Sequence, residues 1–183
     1  MELPDLFRII RMRGIYMQEA YPEGGAMAAV LGLDGDAVAA ICEQTAKETG
    51  KVVSVANYNC PGQIVITGEA DAVEAASEAL KETGAKRCIP LKVSGPFHSA
   101  LLKNAGEQLA EELKSVKLST PWIPYVSNVT ADYVTDASQV AELAETTGIQ
   151  SRTVHPEHRA HDRGWRGHFY RDRPGEDTHK LRP

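Results

Sequence analysis

Between residues 26 and 93 the hydrophobic pattern switches repeatedly between strand-like and helix-like spacing, and this constrains the fold more than any other feature of the chain. Ala26 to Leu33 is a short apolar run suited to a buried strand. Asp34-Gly35-Asp36 supplies a turn and an N-cap carboxylate for a helix over 36–49, which Gly50 ends. Val52 to Asn57 reads as a second strand, Pro61-Gly62 as a turn, and the β-branched run Gln63 to Thr67 as a third strand. Asp71 to Thr83 is a second helix ended by Gly84, and Cys88 to Val93 a fourth strand. The order βαββαβ within about 70 residues is the split βαβ, ferredoxin-like arrangement.

The flanks are helical. Leu6, Ile9, Ile10 and Met17 recur near helical spacing over 4–20, and Tyr21-Pro22-Glu23-Gly24-Gly25 breaks that helix. A third helix runs from Ser99 to Val116, with Leu101, Leu102, Ala105, Leu109, Leu113 and Val116 on one stripe. Tyr125 to Asn128 is read as a strand and Asp136 to Ala144 as a short helix. From Thr146 the character changes. The last 38 residues hold only Ile149, Val154 and Leu181 among the branched aliphatics, but five of the six histidines. They carry 7 Arg and 1 Lys, against 4 Arg and 8 Lys in the first 145. By composition alone this segment is a disordered basic tail.

Several function classes are excluded on these grounds. A net charge of −5 gives no whole-chain footprint for nucleic acid. No apolar run approaches the roughly 18 residues of a membrane span, and no signal peptide opens the chain. Cys42, Cys60 and Cys88 lie far apart without CxxC spacing, so a disulfide framework or a zinc site is not indicated. The histidines at 155, 158, 161, 168 and 179 lack a ligand framework, and no metal is expected. A cytoplasmic protein with reduced thiols is the expectation.

Three places carry chemistry. Ser94-Gly95-Pro96-Phe97-His98-Ser99-Ala100 puts a histidine between a strand and a helix, where proton transfer near neutral pH is available. Arg13, beside Ile9, Ile10 and Met17, is either a surface charge or a bidentate clamp for a carboxylate. Asn57-Tyr58-Asn59-Cys60-Pro61-Gly62-Gln63 is a run of amides around a turn, which either satisfies the turn or lines a pocket. No G-x-S-x-G elbow and no phosphate-binding glycine loop occurs in the 183 residues.

Arg11-Met12-Arg13-Gly14, Tyr16-Met17-Gln18-Glu19-Ala20, Pro22-Glu23-Gly24 and Ala26-Met27-Ala28-Ala29 open a series of motifs. Asn57 through Ile66, Gly84-Ala85-Lys86-Arg87, Val93 through Leu102 and Pro124-Tyr125-Val126-Ser127-Asn128-Val129 continue it in the same order. In these blocks the chain resembles the malonyl-CoA:acyl carrier protein transacylases of bacterial fatty-acid synthesis. The resemblance implies an α/β fold: an α/β-hydrolase-like large subdomain, incomplete here, with a ferredoxin-like small subdomain inserted. It divides the chain into 1–24 and 94–145 of the large subdomain, 25–93 of the small one, and a tail over 146–183.

It further implies a ping-pong acyl transfer in which a serine takes malonyl from malonyl-CoA and passes it to the phosphopantetheine thiol of acyl carrier protein, without a cofactor. His98 then corresponds to the base, Arg13 to the partner of the free malonyl carboxylate, and Asn57, Asn59 and Gln63 to residues at the cleft. The family's serine elbow precedes the helix that here contains Arg13, so the chain is expected to be inactive alone. Back-translation of the tail in a frame shifted by one base permits the family's closing G-P-G-K-type segment, so a frameshift near 145–147 is the expected origin of the basic tail. The alternatives are a ferredoxin-like module that binds acyl carrier protein or coenzyme A without chemistry, and a non-functional truncated product.

Overall fold

A computed structural model of the chain describes residues 1–93, 95–130, 132–146 and 150–153. Helix α1 (Leu3–Ala20) leads into β1 (Gly25–Leu31), α2 (Gly35–Thr49), β2 (Val53–Cys60), β3 (Gln63–Glu69), α3 (Ala70–Glu82) and β4 (Arg87–Pro90). A 3-10 turn (Ala100–Leu102) then starts α4 (Lys103–Lys114), followed by β5 (Tyr125–Val126), β6 (Tyr133–Val134), α5 (Ala137–Thr146) and β7 (Arg152–Thr153). The βαββαβ order is present, with β1 antiparallel to both β3 and β4 and β2 antiparallel to β3. The resulting sheet runs β4-β1-β3-β2-β7.

The pleat sorts side chains between two faces of this sheet. Ala28 and Val30, Val53 and Val55, and Ile64 and Ile66 face α2 and α3, where they pack with Val38, Cys42, Val73, Ala76 and Leu80. Met27, Ala56 and Val65 form the opposite face, with Ala29 and Phe97 against them. Ile66 and Leu80 are fully buried, so truncating either to alanine costs about 2 to 5 kcal/mol. Asp34 caps α2 by accepting a hydrogen bond from the Asp36 amide at 2.8 Å, as the Asp-Gly-Asp spacing predicts.

Cys42 lies inside this core at 2% exposure, and burial pushes its thiol pKa up to about 12. Cys60, at the end of β2, is exposed. Iodoacetamide at pH 8 is therefore expected to modify Cys60 quickly and Cys42 only after urea unfolds the chain. Peptide mass spectrometry over a time course checks the order.

Three sequence expectations change. The second strand is longer than expected: Asn57, Tyr58, Asn59 and Cys60 of the amide run all belong to β2, while Pro61-Gly62 makes the turn as expected. The stripe on α1 divides, because Ile9 is buried against Leu109, Leu113 and Val116 of the α4 region while Leu6, Phe7 and Ile10 are exposed. The basic tail also begins inside the fold. Arg152 and Thr153 pair in parallel with Asn57 and Tyr58 along the edge of β2, where unpaired backbone groups accept a further strand. The remainder of the tail, 154–183, with its histidines, lies outside the described residues.

Candidate active site: an open cleft shared by α1, β2 and the histidine loop

Arg13 projects from the inner face of α1. Ile9 and Tyr16 stand four residues before it and three after, and both pack in the cluster formed with Leu109, Leu113 and Val116. Two helices thus meet along the stripe that holds the guanidinium. Met17 and Arg13 line a small cavity together with Leu102, Ala105, Gly106 and Leu109 of the neighbouring helical segment.

The histidine loop is held from beneath. Pro96 is fully buried, and a Cβ on Gly25 would come within 2.4 Å of its Cδ, so glycine at the start of β1 is what lets the loop approach the sheet. Buried Ser99 donates its hydroxyl to the Pro96 carbonyl at 2.6 Å, closing the turn around His98. His98 has φ 60°, and among the described residues no other non-glycine residue has a positive φ. Backbone in this region costs on the order of 1 kcal/mol for a residue with a Cβ and persists where surrounding contacts impose it.

Asn57 reaches the cleft by a different device. Val55 pairs with Ile66, but Val65 is paired with Asn57 rather than Ala56, so two residues of β2 oppose one of β3. This is a β-bulge. In an unbroken strand Asn57 would share a face with Val55 and point at α2 and α3. The bulge moves it to the Val65 face, beside Ala56 and Phe97. A second irregularity lies between Tyr58 and Cys60 and takes Asn59 out of the ladder.

Arg13, Met17, Met27, Asn57, Phe97, His98 and Asn128 line one open cleft of about 460 Å³. Three of the five residues expected at the site therefore meet there. Asn59 and Gln63 are not among the lining residues. Gln63 is exposed at the hairpin, with its Oε1 3.6 Å from the Cys60 Sγ, and Asn59 is set aside by the second irregularity. The side-chain oxygen Oδ1 of Asn57 is buried with no hydrogen-bond partner. Such an acceptor is expensive to leave unmet, which suits a position that meets a donor on a bound molecule.

Asn128 was not singled out by sequence reasoning, although it lies within the Pro124 to Val129 motif. Its position is built by Ser127, whose amide donates to Asp132 O at 2.9 Å and whose hydroxyl accepts from Val129 N at 3.1 Å. A two-stranded β5–β6 pairing closes the same turn. The run of one serine and one asparagine after a short apolar segment was the available signal, but such a run usually marks only the turn itself.

The cleft combines a cation, an imidazole and two amides with apolar Met17, Met27 and Phe97. That set can pair a carboxylate, move a proton and hold a carbonyl or amide in place. Among the described residues no group of three or more His, Cys, Asp or Glu could hold a metal ion, and no helix is long and apolar enough to cross a membrane.

Comparison with known proteins places these features in context. Malonyl CoA-acyl carrier protein transacylase of Bacillus subtilis (strain 168) is 50% identical over 139 residues, which cover 75% of this chain and 44% of that protein. The chain therefore spans less than half the length of this curated relative, and 45% of the Escherichia coli (strain K12) protein of the same name, to which it is 46% identical over 142 residues covering 77% of this chain. The crystal structure of acyl-carrier-protein S-malonyltransferase from Burkholderia pseudomallei 1710b matches with a TM-score of 0.80 at 38% identity, covering 85% of this chain and 50% of that one. The α/β fold is thus that of solved malonyltransferase structures. Residues 4–163, which include every cleft-lining residue, match the acyl transferase domain, and the chain belongs to that family.

Proposed function

We propose that this chain supplies the carboxylate-pairing and proton-transfer wall of a malonyl-CoA:acyl carrier protein transacylase site. The observation that carries the reading is the convergence of Arg13 and His98 on one cleft from elements 85 positions apart in sequence, with Asn57 turned into it by a bulge. A guanidinium fits the free carboxylate of a malonyl group, and its charge selects a dicarboxylic acyl unit over acetyl. His98 acts as the base: it takes the proton of a serine hydroxyl as the oxygen attacks the malonyl thioester, and returns it to the departing coenzyme A thiolate. In the second half the pantetheine thiol of acyl carrier protein gives its proton to His98 and attacks the malonyl ester, and the serine is released with its proton restored. A relative solved as a malonyl-transacylase in complex with a type II PKS acyl-carrier protein, at TM-score 0.77 and 40% identity over 80% of this chain and 47% of that one, supports acyl carrier protein as partner.

On this reading the serine comes from sequence outside these 183 residues, and no cofactor beyond the coenzyme A substrate takes part. Residues 25–93 are the ferredoxin-like small subdomain, and 1–24 with 94–145 are parts of an α/β-hydrolase-like large one. Action in the cytoplasm accompanies the assignment. The 183-residue chain is then expected to bind malonyl-CoA more than about tenfold tighter than acetyl-CoA and to transfer nothing to acyl carrier protein by itself. Isothermal titration with both thioesters tests the first statement, and equal affinities would sink the carboxylate-pairing role. Malonyl transfer by the chain alone would sink the second statement, and transfer that also survived His98→Ala would remove His98 as the base.

A further inference from the structure

Arg13 and His98 sit on different segments, so the geometry between them depends on whatever fixes α1 against α4. One carboxylate does this. Glu112 of α4 accepts from Arg8 Nη1 through Oε2 and from the Tyr16 hydroxyl through Oε1 at 3.0 Å. Arg8 also donates through Nη2 to the Ser115 hydroxyl at 2.9 Å and lies 3.6 Å from Asp5. Arg8 and Tyr16 stand on either side of Arg13 along α1, about 12 Å apart at helical rise. Their common acceptor therefore restrains both sliding and rotation of the helix segment that presents the guanidinium. Apolar packing of Ile9 on Leu109, Leu113 and Val116 gives the two helices adhesion. Such contacts alone leave neighbouring ridge-and-groove registers close in energy.

The network is half in solvent, with Arg8 39% and Glu112 27% exposed, so as a plain surface ion pair it would matter little to stability. Its value lies in direction. Partial desolvation, and after it the hydrogen bond to the Glu112 carboxylate, raise the Tyr16 hydroxyl above the usual phenol range and favour its protonated, donating form.

We infer that Glu112 is a positioning residue: by holding Arg8 and Tyr16 it sets the register of α1 on α4, and so the place of Arg13 relative to His98 in the cleft. The inference rests on the malonyl-pairing role proposed for Arg13. It requires that loss of the clamp loosen recognition of the carboxylate more than recognition of the rest of the thioester.

The measurement is the ratio of malonyl-CoA to acetyl-CoA affinity by isothermal titration, on the whole 183-residue chain and its variants. Glu112→Ala is expected to lower that ratio about five- to tenfold by weakening malonyl-CoA alone, while Tyr16→Phe, which keeps the packing, lowers it about twofold. Lys47→Ala, which removes an exposed i,i+4 pair with Glu43, is the control and leaves the ratio unchanged. A lowered melting temperature with an unchanged ratio in Glu112→Ala overturns the inference, because a purely structural role would do just that. Should Glu112→Ala fail to fold, Glu112→Gln and Tyr16→Phe carry the same readout, and unchanged ratios in both overturn it. If Arg13→Ala leaves the ratio intact, the fault lies with the malonyl-pairing role itself; if Arg13→Ala collapses it and the Glu112 variants do not, only the positioning role fails.

Discussion

Alanine at position 13 is expected to weaken malonyl-CoA binding on the order of 30-fold and to leave acetyl-CoA binding within about twofold. The size follows from the charge-assisted bidentate contact proposed for Arg13 at the open cleft, where the carboxylate would lose its proposed cation partner and must still shed water to enter. Lysine at the same place is expected to restore little of the loss, since an ammonium is a point charge and cannot present two parallel donors. The cleft walls beside Arg13 are Met17, Met27 and Phe97, which supply contact area but no charge to take over the role. Titration calorimetry with both thioesters reads the effect directly. A uniform loss for both ligands would mean that Arg13 supports the cleft without contacting the carboxylate.

The second large effect concerns the sheet that carries Asn57. Gly68→Ala is expected to destabilise the chain by at least about 3 kcal/mol, enough to unfold much of a marginal domain. A Cβ at this position would lie 2.0 Å from the Val52 carbonyl oxygen and 2.8 Å from the Val53 Cα, both backbone atoms that no side-chain rotation can clear. Gly68 pairs with Val53 on one side and Ala26 on the other, so the strain would part β2 from β3 where β2 begins. The Glu69 amide bond to Val52 O, 2.9 Å long, would go with it. Gly14→Ala offers the contrast. Nothing lies within 4 Å of its Cβ, it sits inside α1, and helix propensity predicts a gain of up to about 1 kcal/mol. Urea unfolding followed by circular dichroism separates the two, and similar midpoints would refute the close-packing account of Gly68.

Much of the framework was legible in residue order. Asp34 before Asp36, Gly50 after Thr49, and the alternation Met27/Ala28/Ala29/Val30 each specify their element through contacts within a few residues. Local patterns of this kind survive because backbone conformation and side-chain direction are set by near neighbours. Short elements were harder: β6, two residues long, carries no period of its own and exists because Val126 and Tyr133 pair across a turn. The Ser99 to Val116 helix begins as a 3-10 turn, since Leu102 N bonds back to Ser99 O to complete the closure around His98.

The candidate site divides along the same line. His98, Arg13 and Asn57 were visible as residue types in suggestive surroundings, and their motifs pointed to the family that the wider comparison then established. Which amide enters the cleft was not visible, because the bulge that selects Asn57 over Asn59 is a matter of register between β2 and β3. Nor was Glu112, which meets Arg8 across 104 positions of chain. By itself, then, the sequence determined the order of the longer elements, the chemistry available and the family, all of which depend on local propensity and motif. Tertiary structure alone decided which of those groups face one another. Strand register and helix rotation are set by pairing partners distant in sequence, and a shift of one residue turns a side chain from the cleft into the core.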